Sequence, residues 1–163
     1  MPASISPPAT DAAGLEQLAP LWKSLHRHHR VVSDYTALVD DLEVSWERRL
    51  RWYRRLLGEG AAYLTASDDD GRLIGYAVVI LERVPDETFE SAQGVAEVAT
   101  LVVAEAHRSA GLGRALLQAA ERLARENGFD VMKIYVMAGN HRAHAFYETA
   151  GYAVGEHVLY RRL

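Results

Sequence analysis

Residues 95–103, VAEVATLVV, most limit how this 163-residue chain can fold. Nearly every position is apolar, so both faces of a strand built from them would be apolar. Such a strand is predicted to lie in the interior of a sheet, with neighbours on both sides. A polar corner, HRSAGLGR at 107–114, follows it, and a helix from about Gly111 to Asn127 comes next.

The rest of the chain predicts a mixed α/β domain in which helices come first, then an antiparallel hairpin, then strand–helix–strand–helix–strand. The predicted segments are a short strand at 3–6, helices at 12–32 (capped by Asp11 and interrupted at Pro20) and 43–60 (ended by Gly58 or Gly60), hairpin strands at 61–66 and 72–84, a polar connection at 85–94, a strand at 131–137, a helix from Asn140 to Gly151, and one or two strands at 152–163.

The helix at 43–60 has an apolar stripe of Trp46, Leu50, Tyr53 and Leu57 at helical spacing. Its arginines are interspersed with glutamates, so they are interpreted as a solvated face rather than as a nucleic-acid surface. The formal net charge of −4 also argues against nucleic-acid binding, which favours a basic excess.

The chain has no cysteine, which excludes disulfides, thiolate metal sites and a cysteine nucleophile. No apolar run approaches the roughly 18 residues that a membrane span needs. The first residues, MPASISPPATDAAG, lack the basic and apolar regions of a secretory signal. A cytoplasmic protein without a membrane partner is therefore expected.

The corner at 107–114 is unusual for a helix start, because acidic residues are expected there. It contains His107, Arg108 and Arg114, and no acid occurs from 106 to 120. Free amides at a helix start and the positive end of its dipole bind anions, and Gly111 and Gly113 allow close backbone approach. The alternative is a tight strand-to-helix turn that only needs small residues.

Two common phosphate loops do not fit this corner. A P-loop needs glycine followed by lysine, and no glycine here precedes a lysine. A dinucleotide fingerprint needs a small residue at the position of Leu116.

A third pattern fits. Arg108-x-x-Gly111-x-Gly113 resembles the acyl-CoA pyrophosphate loop of the GNAT superfamily of N-acetyltransferases, and Asn140-x-x-Ala143-x-x-Phe146-Tyr147-x-x-x-Gly151-Tyr152 resembles that family's second characteristic helix. The resemblance extends from about Ala61 to the C-terminus and is poor over residues 1–60. It implies one domain over 1–163, with variable N-terminal helices on the acceptor side at 1–60 and an acyl-CoA-binding core at 61–163.

The resemblance implies a twisted, mostly antiparallel mixed sheet of about six to seven strands, flanked by about four helices. It also implies acetyl transfer from acetyl-CoA to a primary amine, with no metal. Coenzyme A would lie where the central strand separates from the strand at 131–137. The implied coenzyme A-binding residues are Leu101, Val102, Val103, Arg108, Ser109, Ala110, Gly111, Leu112, Gly113, Arg114, Asn140, Ala143 and Tyr147.

The resemblance implies that Tyr147 protonates the departing thiolate, although it could equally be a core aromatic beside Phe146. Asn140 could contact coenzyme A, cap its own helix, or do both. Glu97 is the first candidate base, because an unpaired carboxylate in an apolar strand is costly. The alternative for Glu97 is a solvated strand end.

His26 and His29 are second candidate bases and, with Trp22 and Glu97, candidate acceptor-binding residues. The connection from Val84 to Gly94 is a candidate acceptor-side loop, with Asp86, Glu87 and Glu90 as ammonium partners. A metal site in HRHH is disfavoured because His28 does not share a helical face with His26 and His29.

Direct transfer within a ternary complex is the simpler reaction, since the chain lacks the cysteine that commonly carries an acyl group. Two other functions stay open, namely a silent acyl-CoA-binding or sensor module and a protein-interaction domain that uses the arginine-rich helix. The acceptor would be a small-molecule or peptide amine. A C-terminal strand could pair with a second subunit to form a homodimer.

Overall fold

In a computed structural model, which describes residues 3–35, 37–83, 90–91 and 93–163, helices cover both faces of a five-stranded sheet. The elements are β1 (Ser4–Ile5), a 3-10 turn (Leu15–Leu18), α1 (Ala19–Val32), α2 (Leu42–Gly58), β2 (Ala62–Ser67), β3 (Leu73–Ile80), β4 (Val95–Val103), a second 3-10 turn (Glu105–His107), α3 (Leu112–Glu126), β5 (Val131–Ile134) and α4 (His141–Thr149).

The strand order in the sheet follows the chain, β1-β2-β3-β4-β5. Neighbouring strands from β1 to β4 are antiparallel, and β5 lies parallel to β4. This confirms the mixed, mostly antiparallel sheet and the interior position of β4. The described residues form five strands, fewer than the six to seven expected, while the four α-helices match the expected number.

The strand β4 carries an extra residue at the centre of the sheet. Val78 of β3 is opposite Thr100, but Val79 is opposite Val98, so Ala99 has no partner in the register between them. A bulge of this kind bends a strand and increases its twist. The parallel pairing with β5 also ends at Val98, opposite Ile134. Beyond the bulge, β4 therefore continues to Val103 with its outer edge uncovered by β5.

Two apolar layers hold the sheet between the helices. On one face α3 buries Leu116, Leu117 and Ala120 against Val98 and Val103 of β4. On the other face α1 and α2 pack against β3 and β4, in a cluster that includes Trp22, Leu50, Tyr53, Tyr76 and Val102. Because neighbouring side chains of a strand alternate between faces, Val102 and Val103 contribute to different layers.

The helix starts differ in detail from the sequence prediction. Asp11 accepts a bond from the amide of Ala13 and does not cap a helix directly, because the first turn begins only at Leu15. The chain changes from 3-10 to α-helix just before Pro20, whose missing amide is tolerated in a first helical turn. In α2 the buried stripe continues through Leu56, whereas the predicted Leu57 is only partly buried.

The C-terminal prediction is wrong. Residues 152–163 contain no strand, and Val158, Leu159 and Tyr160 are 52%, 92% and 70% exposed. The segment at 131–137 is also strand only as far as Ile134. A strand forms only where a neighbouring strand can hydrogen-bond with it. The available neighbour for residues 152–163 would be β5, which is only four residues long. The strand through which a second subunit was expected to pair is therefore not formed.

We expect Gly139→Ala to destabilise the fold by about 1–3 kcal/mol, because there is no space for the added methyl group beside the backbone of Val32. A Cβ at Gly139 would overlap the carbonyl oxygen of Val32 at the end of α1. Urea unfolding measures the effect. The control is Gly58→Ala, where nothing lies within 4 Å of the added carbon. Equal stabilities of the two variants would contradict this close approach of α1 to the loop before α4.

Candidate active site

After Val98 the edge of β4 is no longer paired with β5, and we use the name cleft for the space beside that unpaired edge. Beyond Val103, the amide of Ala104 donates to the carbonyl of Ile74 in β3, so the backbone of Ala104 is directed at β3. Backbone groups alternate in direction along a strand. The groups of Leu101 and Val103 therefore face the cleft, while Val102, opposite Tyr76, faces β3. Two of the three predicted strand residues thus present main-chain donors and acceptors to the cleft.

The loop that joins β4 to α3 is shaped as an anion cradle. Ser109 and Gly111 both have positive φ, 68° and 81°, on either side of Ala110. Left-handed residues within a loop turn successive amides toward one side, where they can surround an anion. At Gly111 this conformation carries no side-chain penalty, and at Ser109 it costs roughly 1–2 kcal/mol.

The first turn of α3 adds further donors to this cradle. The first helical bond runs from the amide of Ala115 to the carbonyl of Gly111. The amides of Leu112, Gly113 and Arg114 therefore have no acceptor within the helix. No acidic residue occupies this turn. The positive end of the helix therefore has no counter-charge from its own first turn, an arrangement typical of anion sites.

Three arginines surround the cradle without a carboxylate partner among the described residues. Arg108 Nε donates to the carbonyl of Val103 at 3.2 Å, and Arg114 Nη2 donates to the carbonyl of Thr149 at 3.0 Å. Arg142 Nη2 lies 3.3 Å from the hydroxyl of Ser109. These bonds join the loop to β4 and α4 while leaving the positive charges unneutralised.

Two groups of this cradle were not among the predicted coenzyme A-binding residues, namely Arg142, and His107, which was named only as part of the cationic corner. Arg142 could have been found, since it is a basic residue in the first turn of α4 directly after the cap Asn140. His107 Nδ1 is buried and has no hydrogen-bond partner in the described part of the chain. A buried polar atom without a partner is costly, so an added acceptor at this corner would be favourable.

The start of α4 confirms the capping alternative for Asn140. Its side-chain oxygen accepts the amide of Ala143 at 3.2 Å. Ala143 and Phe146 pack against the α3 side of the core. A Cβ placed on Gly113 would lie 3.7 Å from the ring of Phe146, so the loop and α4 are in close contact.

Tyr147 is a buried phenol within this contact. Its ring packs edge-on against Phe146 and Tyr152, with centroid distances of 4.9 and 5.7 Å. Burial is the main cause that raises the pKa of Tyr147, and the neighbouring Tyr152 adds to it. Tyr152 is held in turn, because its hydroxyl donates to Glu121 at 3.2 Å. Tyr147 therefore keeps its proton at neutral pH and can act as a donor.

Glu97 lies on β4 two residues before the bulge, opposite Lys133 of β5. The carboxylate and the ammonium are 4.0 Å apart, with side-chain exposures of 18% and 45%. Burial raises the pKa of Glu97, Lys133 opposes this, and Glu82 adds to the rise. Glu97 is therefore a half-buried carboxylate of increased basicity.

The two predicted histidines of α1 surround Trp22. His26 is buried and its Nε2 donates to the carbonyl of Val39 at 2.7 Å, while its ring stacks on Trp22. His29 meets Trp22 edge-on, and burial, followed by the charges of His26 and Arg49, lowers its pKa to about 4. His29 is therefore neutral at physiological pH.

The prediction of a solvated arginine face on α2 is wrong for Arg49. Its guanidinium carbon lies 3.8 Å from the ring centre of Trp22 and 4.5 Å from that of Trp52. Burial lowers the pKa of Arg49. The signal was available in the sequence, because Arg49 precedes Trp52 by three positions and Tyr53 by four, on the same helical face.

The predicted site residues form two separate groups in the structure. The loop, Arg114 and α4 contact one another, and Trp22 contacts both His26 and His29. Within the described ranges, no hydrogen bond, ion pair or ring contact connects Tyr147 with Glu97 or with either histidine. Asp86 and Glu87 lie outside the described residues, and Glu90 is exposed.

The described residues contain no group of three or more His, Asp or Glu side chains placed to hold a metal ion. No helix in this part of the chain has both the length and the apolar character needed to cross a membrane.

Comparison with known proteins places these features in a family. The sequence model of the acetyltransferase (GNAT) family matches residues 26–152. L-methionine sulfoximine/L-methionine sulfone acetyltransferases of Pseudomonas aeruginosa and Pseudomonas paraeruginosa are each 29% identical over 127 residues, which cover 78% of this chain and 71% of theirs. The family match begins inside α1, well before the region where the sequence resemblance was evident.

Solved structures show the same fold. A GCN5-related N-acetyltransferase from Ralstonia eutropha JMP134 superimposes with a TM-score of 0.77 at 15% identity and covers 99% of both chains. AAC(6')-Iy in complex with the bisubstrate analogue CoA-S-monomethyl-acetylneamine gives a TM-score of 0.73 at 19% identity, covering 100% of this chain and 99% of that one.

We expect Glu97→Gln to be more stable than the wild type near pH 7, because the fold opposes ionisation of this carboxyl. The folded-state pKa lies above the unfolded value of about 4.3, so ionisation lowers the free energy of unfolding as pH rises through this range. The advantage of the amide should therefore disappear as the pH falls below about 4.

Urea unfolding at several pH values measures this difference. Glu47→Gln, at an exposed position on α2, is the control for loss of one negative charge. A stability difference that does not change with pH, or an amide variant less stable at neutral pH, would show that the fold does not oppose the charge of Glu97.

Proposed function

Because the chain belongs to the acetyltransferase (GNAT) family and is an acyltransferase, we propose that it transfers acetyl from acetyl-CoA to a primary amine within a ternary complex. The observation that carries the proposal is the continuity of the uncovered β4 edge with the cationic cradle at the start of α3. An extended ligand with a phosphate end can bind to both at once. The cradle and its free arginine charges fit such a ligand.

The cradle would hold the pyrophosphate through the amides from Ser109 to Arg114, with Arg108 and Arg142 adding charge. The backbone of Leu101 and Val103 would bind the pantetheine arm along the cleft. When bound, acetyl-CoA supplies the thioester and a thiolate leaving group. Main-chain donors fixed in the cleft stabilise negative charge without having to reorganise.

Tyr147 would serve as the general acid. Burial keeps its phenol protonated, so the proton is present when a thiolate departs nearby. Its ring is held edge-on by Phe146 and Tyr152, which fixes the hydroxyl direction. Asn140 would set the position of α4 through its cap rather than act on the substrate.

Glu97 would accept the proton of the attacking amine, directly or through water. An alkylammonium resembles lysine with a pKa near 10.4, so the amine must lose a proton before attack. Burial makes Glu97 more basic than a surface carboxylate. His29 has a pKa of about 4 and is a weaker base, which suits it better to contacting the acceptor than to removing its proton.

The acceptor would be an amine on a small molecule. The curated relatives are named for acetylation of methionine sulfoximine and methionine sulfone, and one structural neighbour holds an acetylated neamine analogue linked to CoA. The absence of cysteine favours direct attack over an acyl-cysteine route.

The test mixes the purified protein with acetyl-CoA and a panel of amines and follows free thiol with a thiol-reactive dye. The protein has no cysteine and gives no background. Acceptor-dependent release supports the transferase. Heat stabilisation by acetyl-CoA without release from any amine would support a silent binding module instead.

Tyr147→Phe is expected to lower kcat by about 100-fold or more while leaving the Kd of acetyl-CoA unchanged. The substitution keeps the ring and its packing, so it removes only the proton donor. Steady-state thiol release and a thermal-shift titration measure the two quantities. Tyr160→Phe, at an exposed position, is the matched control. Unchanged turnover in the Tyr147 variant would remove the tyrosine from the acid role.

A further inference from the structure

The side of the sheet that faces α1 and α2 contains Arg49, a partly buried cation without a carboxylate partner among the described residues. We use the name Arg49 cluster for Trp22, His29, Arg49, Trp52 and Tyr53. The guanidinium of Arg49 lies 3.8, 4.5 and 5.6 Å from the ring centres of Trp22, Trp52 and Tyr53. It is only partly buried, so a ligand can reach it.

The rings around Arg49 are held in place by their own bonds. The indole Nε1 of Trp22 donates to the hydroxyl of Ser45 at 3.1 Å. The hydroxyl of Tyr53 lies 2.6 Å from that of Thr100 and 3.2 Å from that of Tyr76. The cluster is therefore already ordered, and a ligand that binds there has little side-chain ordering cost to offset.

The charge of Arg49 has no carboxylate partner in the described part of the chain. Arg30 lies 2.6 Å from Asp40 and Arg54 lies 2.8 Å from Glu16, whereas Arg27, Arg48 and Arg51 are exposed to water. Arg49 is more desolvated than a surface arginine, and burial lowers its pKa. A partly desolvated charge without a counter-charge costs some stability even beside aromatic rings, so an anionic ligand would reduce a cost already present.

The geometry leaves Arg49 free to bind a planar anion. Stacking on indole rings occupies the faces of a guanidinium, while its five N–H donors lie in the plane. One interaction is made with the Tyr53 hydroxyl. The remaining donors can meet a carboxylate as a fork, with two parallel bonds. The neutral ring of His29 can add a donor next to Arg49 without adding charge.

The Arg49 cluster is joined to the reaction cleft through β4. The Tyr53 hydroxyl bonds Thr100, which comes directly after the bulge residue Ala99 and before Leu101. The end of α1 approaches the loop before α4 closely at Val32 and Gly139. The Arg49 cluster thus contacts β4 at the point where its uncovered edge begins, and an acceptor anchored at Arg49 would have to reach that edge.

We propose that Arg49 binds a carboxylate of the acceptor, so that the substrates are amines that carry a carboxylate, with α-amino acids as the simplest class. The inference rests on the proposed function and adds the acceptor class to it. The ring of Trp52, which is only partly buried, would contact an apolar part of the same molecule. Polyamines and other polycations are disfavoured, because they would bring further positive charge to an unneutralised guanidinium.

The test compares three versions of each acceptor, namely the α-amino acid, its carboxamide and the amine that lacks the carboxyl group. Methionine sulfone and phenylalanine are the parent compounds. All three versions have the reacting amine. Once kcat/KM is corrected for the fraction of neutral amine, the differences between them report on the carboxylate. We expect the amino acid to exceed its carboxamide by ~10- to 100-fold, the range for a charged hydrogen bond.

Arg49→Gln should raise KM for the amino acid by ~10- to 100-fold and change the carboxamide little, with the Kd of acetyl-CoA unaltered. Arg49→Lys keeps the charge but loses the fork, so it should fall between the wild type and the glutamine variant. The matched control is Arg48→Gln, at the adjacent exposed position on α2, which should behave as the wild type. Thermal melts of each variant show that the fold is retained.

Each other outcome overturns the inference. A carboxamide used as well as its amino acid, or equal losses for both acceptors in Arg49→Gln, would assign Arg49 to packing alone. Turnover of amines without a carboxylate, and of no amino acid, would reject the acceptor class while keeping the transferase. If none of the amines gives thiol release, the proposed function is rejected, and the inference is rejected with it.

Discussion

The bulge at Ala99 is the constraint on which the geometry of the site depends. It lies next to Val98, where the pairing between β4 and β5 ends, and a bulge bends a strand away from its former direction. The backbone groups of Leu101 and Val103 are thereby left facing a cleft. The same extra residue places Thr100 on the side of α2, where it bonds Tyr53. One inserted residue thus links the uncovered edge of the strand to the aromatic cluster on the other side of the sheet.

The distribution of charge is as informative as the strand geometry. The chain is acidic, with a formal net charge of −4, yet Arg108, Arg114, Arg142 and Arg49 have no carboxylate partners in the described part of the chain. The acids that do form pairs are elsewhere, as with Arg30 and Asp40. Arg114 and Arg142 are exposed to water, whereas Arg49 and Arg108 are partly buried, so only for the latter two does the missing counter-ion reduce stability. An anionic ligand would reduce that cost, which is why both proposed binding sites are assigned to negatively charged groups.

The sequence was most informative where local chemistry determines structure. The apolar run of β4, the glycine at the start of α3 and the cap Asn140 all act over a few residues, and each was predicted to within one or two positions. The bulge was not predicted, because it depends on the register with β3. Arg49 was assigned to a solvated face: its spacing to Trp52 and Tyr53 was visible in the sequence, but its contact with Trp22 of another helix was not. The C-terminal strands failed for a related reason, since strand-like composition at 152–163 does not form a strand without a ladder to join.

Desolvation then gives the candidate catalytic groups their separate roles. Burial penalises the charged form of every ionisable group, so it raises the pKa values of Tyr147 and Glu97 and lowers that of His29. For a phenol the result is a retained proton, and for a carboxylate it is greater basicity. A histidine pushed in the opposite direction stays neutral and makes a poor base. The same physical cause thus favours Tyr147 as the donor and Glu97 over His29 as the acceptor of the proton.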